Sequence, residues 1–143
     1  MKYTSSEILL KKIKEFEGCV LTAYKCPAGK WTIGVGHTKG VKQGQKITLA
    51  QANALLKSDL KPCEDYVNRL LVCTSQGMFD ALVDFVFNLG QASLERSTLL
   101  KLIRQHANTN DIQKQFMKWV YAGGKKLAGL EKRRAWEALR YAQ

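Results

Sequence analysis

The chain has 143 residues, 45% of them apolar and 24% charged, a length and mix that suit one domain and exclude a disordered chain. Its 23 basic and 12 acidic residues give a net charge of +11, which favours a polyanionic partner: nucleic acid, an anionic membrane surface or an anionic wall polymer. No apolar run approaches the roughly 18 residues of a membrane span, and Ile8-Leu9-Leu10 is too short for the core of a secretion signal.

In chain order, Thr4 and Glu7 are spaced as a capping box ahead of Ile8, Leu9, Ile13 and Phe16, so a helix is expected over 4–16, stopped by Gly18. Residues 18–47 carry the strand formers Val20, Leu21, Tyr24, Trp31, Ile33 and Val35, punctuated by glycines, and read as a small twisted antiparallel sheet. Thr48 with Gln51 opens a connecting helix over about 48–62, with Ala52, Leu55, Leu56 and Leu60 on its apolar face and Pro62 at its end. From Thr74 onward the pattern is helical. Phe79, Leu82, Val83 and Val86 form one stripe stopped by Gly90, and Leu99, Leu100, Leu102, Ile103 and His106 form the next. A third element runs through Ile112, Phe116, Trp119 and Val120 to Gly123-Gly124, and Leu130, Trp136 and Leu139 mark a last, basic helix whose Trp136 is expected in the core. The expectation is a single α+β domain over 1–143: a sheet lobe at 18–47, and a helical lobe at 74–143 packed with the N-terminal helix. A fold of two such lobes places a ligand cleft between them.

Four cysteines, Cys19, Cys26, Cys63 and Cys73, match neither zinc nor redox-motif spacing. Buried thiols are the default, and local bridges are the alternative in an oxidising compartment. His37 has no second ligand at metal spacing, so a structural hydrogen bond is expected there, and neither a metal nor a cofactor is expected anywhere. Nucleic acid finds no support beyond charge, because no helix-turn-helix, zinc or RNA-recognition pattern is present.

Glycosidic bond cleavage needs a protonated acid for the leaving oxygen and a second group that activates water or stabilises the sugar cation. The stretch from residue 17 to 58 offers Glu17 as its one acid, and taken alone a Glu at a helix end reads as solvated. The pattern around it is more specific. Glu17-x8-Cys26-x5-Thr32, set in EGCVLTAYKCPAGKWTIGVGHT, together with FDALVDFVFNLG at 79–90 and AGGKKLAGLEKRRAWEALR at 122–140, resembles the phage-type lysozymes, the endolysin family, over nearly the whole chain.

That resemblance implies a lysozyme-like fold and hydrolysis of the β-1,4 bond between N-acetylmuramic acid and N-acetylglucosamine in peptidoglycan. It implies Glu17 as general acid and Thr32 as the residue positioning water or substrate. Cys26 takes the place where the common pattern has Asp, as in a subset of the family. Candidate substrate contacts are Tyr24 and Trp31, which can stack on sugar faces, and Asn88, which reads equally as a helix cap or a cleft contact. Arg133 and Arg134 of the matched C-terminal motif are further candidates, which reach back to Glu17 or form a solvated basic face. Tyr24 and Trp31 can equally pack the sheet. By similarity to endolysins that begin with a releasable membrane anchor, Cys19 and Cys26 are candidates for a regulatory disulfide, although this chain shows no anchor ahead of Cys19. Cys63 and Cys73 would close a structural bridge worth roughly 2.5–3 kcal/mol by loop entropy. The expected protein is a monomer, made in the host cytoplasm and acting in the periplasm or cell wall on bacterial peptidoglycan. The rival reading is an inactive peptidoglycan-binding protein of the same fold.

Overall fold

The computed structural model describes residues 2–143. These divide into two compact units: Glu7–Lys61, and a second built from the residues up to Ser6 together with Pro62–Gln143.

The first unit opens with helix α1, Glu7–Glu17, which buries Leu9, Leu10 and Ile13 on one face. The expected capping box is displaced: Thr4 lies three residues ahead of the helix, and its carbonyl accepts a hydrogen bond from Gln76 at 2.8 Å. Gly18, at φ +76°, ends the helix with its N–H on the Lys14 carbonyl, because that left-handed conformation strains any residue with a Cβ. Strand β1, Val20–Lys25, then pairs antiparallel with β2, Trp31–Gly34, with Tyr24 opposite Thr32 and Lys25 opposite Trp31. The loop between them follows from Cys26-Pro27-Ala28-Gly29-Lys30. Pro27 pre-sets the turn, Gly29 takes φ +81°, and Cys26 and Lys30 close it with a 2.9 Å bond. Residues 35–47 add only single bridges, Ile33 to His37 and Thr22 to Lys46, so the sheet is a two-stranded hairpin.

At Thr48 the second capping box forms as its sequence suggests. Gln51 accepts from the Thr48 N–H at 2.8 Å, and Thr48 Oγ1 accepts from the Gln51 N–H at 3.1 Å. Helix α2, Leu49–Leu70, runs on past Pro62 to Leu70, eight residues beyond the expected end at 62, and crosses from one unit into the other. Pro62 removes one backbone bond from the ladder without ending the helix.

The second unit is built around α3, Gln76–Leu89, capped by Ser75 and stopped by Gly90 at φ +95°. Every residue from Phe79 to Val86 is buried, including Asp80 and Asp84. Around it lie α4 (Gln91–Glu95), α5 (Thr98–Arg104), α6 (Thr109–Phe116) and α7 (Ala128–Tyr141), with α7 as its principal neighbour. Phe85 meets Phe116 and Trp119 edge-on at 6.1 and 5.3 Å.

Three local expectations are corrected here. His106 is exposed at φ +56°, past the end of α5, and so is not part of its apolar stripe. Helix α6 ends at Phe116. Gly123-Gly124, at φ +57° and +79°, instead form the tip of a hairpin between β3 (Tyr121–Ala122) and β4 (Lys125–Lys126), since two adjacent glycines supply the left-handed turn that matches strand twist. On α7 the buried face is Arg133, Arg134, Glu137, Ala138 and Tyr141, while Leu139 is exposed and Trp136 only half-buried. Ion pairing with α3 overrides the apolar periodicity of that helix.

Candidate active site

Glu17, Cys26 and Thr32 all fall in the first unit, each delivered by a local device. Glu17 is the last residue of α1 and is half-buried. Its carboxylate lies against Gly36, where a Cβ would come 3.2 Å from Glu17 Oε1. Gly36 sits at φ +69° and presents only backbone to the acid. The GVG step in GVGHT is therefore part of the site.

Cys26 begins the hairpin loop and Thr32 sits in the paired strand, almost fully buried. The thiol is held below its ordinary pKa. The Lys30 N–H contributes most, burial opposes it, and the Ala28 N–H and Thr32 hydroxyl add to the lowering. Donors aimed at sulfur favour the thiolate over the thiol. Thr32 Oγ1 also has the Lys30 carbonyl as an acceptor at 3.0 Å.

His37 fixes the strand end beside Gly36. Its backbone exchanges two bonds with Ile33, at 2.9 and 3.0 Å. Its ring contacts Asp59 Oδ2 at 2.7 Å through Nδ1 and the Lys39 carbonyl at 2.9 Å through Nε2. The expected structural role is met, but with an acid 22 residues away on α2 that local spacing does not reveal. Tyr24 is 37% exposed, while Trp31 is half-buried with the Lys25 ammonium 5.5 Å over its ring. Tyr24 thus keeps a face open to a ligand.

Asn88, Arg133 and Arg134 lie in the second unit. Arg133 grips Asp84 with two bonds, Nε to Oδ2 at 3.0 Å and Nη2 to Oδ1 at 2.8 Å. Arg134, with no exposed surface, donates to Asn88 Oδ1 at 2.6 Å and to Glu137 Oε2 at 3.0 Å, and its guanidinium stands 5.4 Å over the Phe85 ring. The alternative of a solvated basic face is thereby overturned, because both guanidinia are buried and paired. Glu137 and Asp84 carry opposite shifts. Burial pushes the Glu137 carboxyl well up, reinforced by its hydrogen bond to Asp84 and by that neighbour's charge. Burial also works against the Asp84 carboxylate, but the bonds from Glu137 and Arg133 hold it below the usual range. Between the two carboxyls, the environment favours the proton on Glu137 over Asp84.

All four cysteines are thiols in the structure: Cys19 is exposed and the other three are intermediate. Burial pushes the Cys73 thiol up to about 12, the opposite of Cys26. Among the described residues, no group of His, Cys, Asp and Glu is arranged to hold a metal, and no helix is long and apolar enough to cross a membrane.

The α+β fold is lysozyme-like, and the candidate residues Glu17, Cys26 and Thr32 lie on a helix end and its following hairpin. The family model for phage lysozymes matches residues 14–137, and the chain belongs to that family. The chain is similar to the endolysin of Acyrthosiphon pisum secondary endosymbiont phage 1, 40% identical over 134 residues that cover 90% of this chain and 91% of that one. An endolysin of Bacillus phage B103 is 42% identical over 92% of this chain, which spans 51% of that relative's length. Among solved structures, the muramidase domain of SpmX from Asticaccaulis excentricus superposes with a TM-score of 0.90 at 33% identity, covering 99% of both chains. The protein is a glycoside hydrolase of the lysozyme type, and its target is peptidoglycan.

Proposed function

We propose that the chain hydrolyses the β-1,4 bond between N-acetylmuramic acid and N-acetylglucosamine, with Glu17 as general acid, Cys26 as general base and Thr32 as the residue orienting water. The observation that supports this reading most directly is the lowered pKa of Cys26, held by the Lys30 and Ala28 N–H groups and the Thr32 hydroxyl. A thiolate can take the place of a carboxylate in accepting a proton from water. Water then attacks the anomeric carbon from the face opposite the leaving group, and its proton passes to Cys26 sulfur. The glycosidic C–O bond breaks, and Glu17 protonates the departing oxygen. This reading inverts the anomeric centre. Tyr24 and Trp31 are proposed to contact the sugar chain. Asn88 is proposed as a further contact, oriented by Arg134, while Arg133, buried against Asp84, is proposed to support it from the interior.

Control by a Cys19–Cys26 disulfide is proposed to act through the hairpin. The two residues bracket β1, Val20–Lys25. A strand of this length holds their Cα atoms roughly 20 Å apart at its usual rise per residue. A disulfide needs them within about 7 Å. Oxidation of this pair therefore requires β1 to leave β2, which takes Cys26 from its donors and dismantles the hairpin. The Cys63–Cys73 bridge is proposed as a slow, structural alternative, because a thiol with a pKa of about 12 is scarcely ionised at neutral pH. The protein is proposed to act as a monomer, made in the host cytoplasm and reaching the wall at lysis.

The test is release of reducing ends from purified sacculi by the parent, Glu17→Gln, Cys26→Ser and Cys26→Asp, each with and without reductant. Glu17→Gln and Cys26→Ser are expected to fall at least about 100-fold, as for loss of a general acid or base, with Cys26→Asp retaining activity. A Cys26→Ser enzyme as fast as the parent would sink the base role. An unchanged Glu17→Gln would remove Glu17 as the acid, and a parent that releases no reducing ends would favour the rival reading of an inactive wall binder.

A further inference from the structure

The second unit carries a face that the glycosidase reading does not use. Two shallow grooves meet at Met117. One, about 500 Å³, is lined by Asn110, Gln113, Lys114 and Met117 from the α6 side and by Ala135, Ala138 and Leu139 from α7. The other, about 490 Å³, is lined by Met117, Lys118, Val120, Tyr121, Lys126 and Glu131. Leu139 is 65% exposed, Tyr121 62% and Met117 38%. These are large apolar groups standing in water at one continuous surface, a cost that marks interaction sites. Lysines border both grooves, and the one acid lining them, Glu131, is already met by Lys126 at 3.6 Å.

We propose that this face docks on an anionic phospholipid bilayer. The chemistry matches on both counts. Tyr121, Met117 and Leu139 suit the headgroup–acyl boundary, and lysines on long stems reach phosphates beside it. Each such lysine near an anionic membrane adds to the attraction, and the acids that would cancel it are missing from the groove linings apart from Glu131. The hairpin that turns at Gly123-Gly124 sets Tyr121 opposite Lys126 on short strands whose residues are all exposed. This face would concentrate the enzyme at the membrane beneath the wall, independently of catalysis.

The experiment is co-sedimentation of the purified protein with vesicles of 3:1 phosphatidylethanolamine to phosphatidylglycerol, and with pure phosphatidylcholine as the neutral arm. The parent is expected to bind the anionic vesicles and to leave the neutral ones. Lys114→Glu with Lys118→Glu, and separately Leu139→Glu, are expected to weaken binding about tenfold or more. A charge-matched control, Lys42→Glu with Lys57→Glu in the other unit, is expected to weaken it far less. Unchanged circular dichroism melting and unchanged hydrolysis of soluble peptidoglycan fragments separate this loss from misfolding and from failure of the glycosidase reading. Equal losses in face and control variants would reduce the effect to net charge and overturn the proposal. So would a concentration-dependent dimer broken by Leu139→Glu, or no binding to anionic vesicles.

Discussion

The hydroxyl of Thr32 has one hydrogen and two acceptors within reach, the Lys30 carbonyl and the Cys26 sulfur. Which one receives it sets how readily Cys26 ionises. Thr32→Val removes the donor and is expected to move the pH midpoint of Cys26 alkylation upward, while Thr32→Ser leaves it nearly in place. An unmoved midpoint in the valine variant would take Thr32 out of the thiolate's support. At neutral pH, iodoacetamide followed by peptide mass mapping should modify Cys26 well before Cys73, whose thiol is pushed up to about 12 by burial. The helix stop, the Pro-x-Gly loop and the strand that carry Glu17, Cys26 and Thr32 were legible locally, within sixteen consecutive residues. The choice of those three as candidates came from the family resemblance, since Glu17 taken alone reads as solvated. Two features of the same site were not legible. Gly36 acts by having no side chain beside Glu17, and Asp59 reaches His37 from a helix further along the chain. Asp59→Ala leaves His37 without its 2.7 Å partner and is expected to cost about 1–3 kcal/mol in urea unfolding.

At the level of elements, local chemistry predicted starts and stops better than faces. Thr48 with Gln51, Gly18 and Gly90 all acted as their residue types require. Helix α2 continued past Pro62, a residue that usually marks an end, which shows tertiary burial outweighing one missing backbone bond. The buried face of α7 was misread because its partners on α3 are acids, and apolar periodicity is blind to a charged interior. Gly77 of α3 packs tightly against the end of α7 and the residues after it. A Cβ there would lie 2.3 Å from the Arg140 carbonyl oxygen and 2.5 Å from that of Gln143. Backbone cannot yield as a side-chain tip can, so Gly77→Ala is expected to destabilise by about 1–3 kcal/mol, read as a lower urea midpoint. A midpoint equal to the parent's would mean that the end of α7 is free to move.

At the scale of the whole molecule, pH acts on stability through the Asp84–Glu137 pair. The Glu137 carboxyl gives up its proton at a higher pH in the folded protein than the ordinary value of about 4.5 that holds when unfolded. Between those two values the native state binds more protons, so stability falls as pH rises toward the folded value. Asp84 has the opposite sign: its contribution is present above 3.8 and is lost as pH falls through its lowered folded value. Glu137→Gln keeps the shape and a donor but cannot ionise. Its urea midpoint is expected to decline less than the parent's as pH rises from about 4.5, and parallel declines would remove Glu137 from the linkage.

The acids of α3 and the arginines of α7 also order events in time. Asp84 waits 49 residues for Arg133, and Asp80, already held by Ser6 and Gln76, waits 60 for Arg140. A nascent α3 leaving the ribosome carries acids whose burial without cations would cost several kcal/mol. It cannot close its core until α7 has been synthesised. Translation itself therefore delays maturation of this unit, which stays incomplete until α7 arrives.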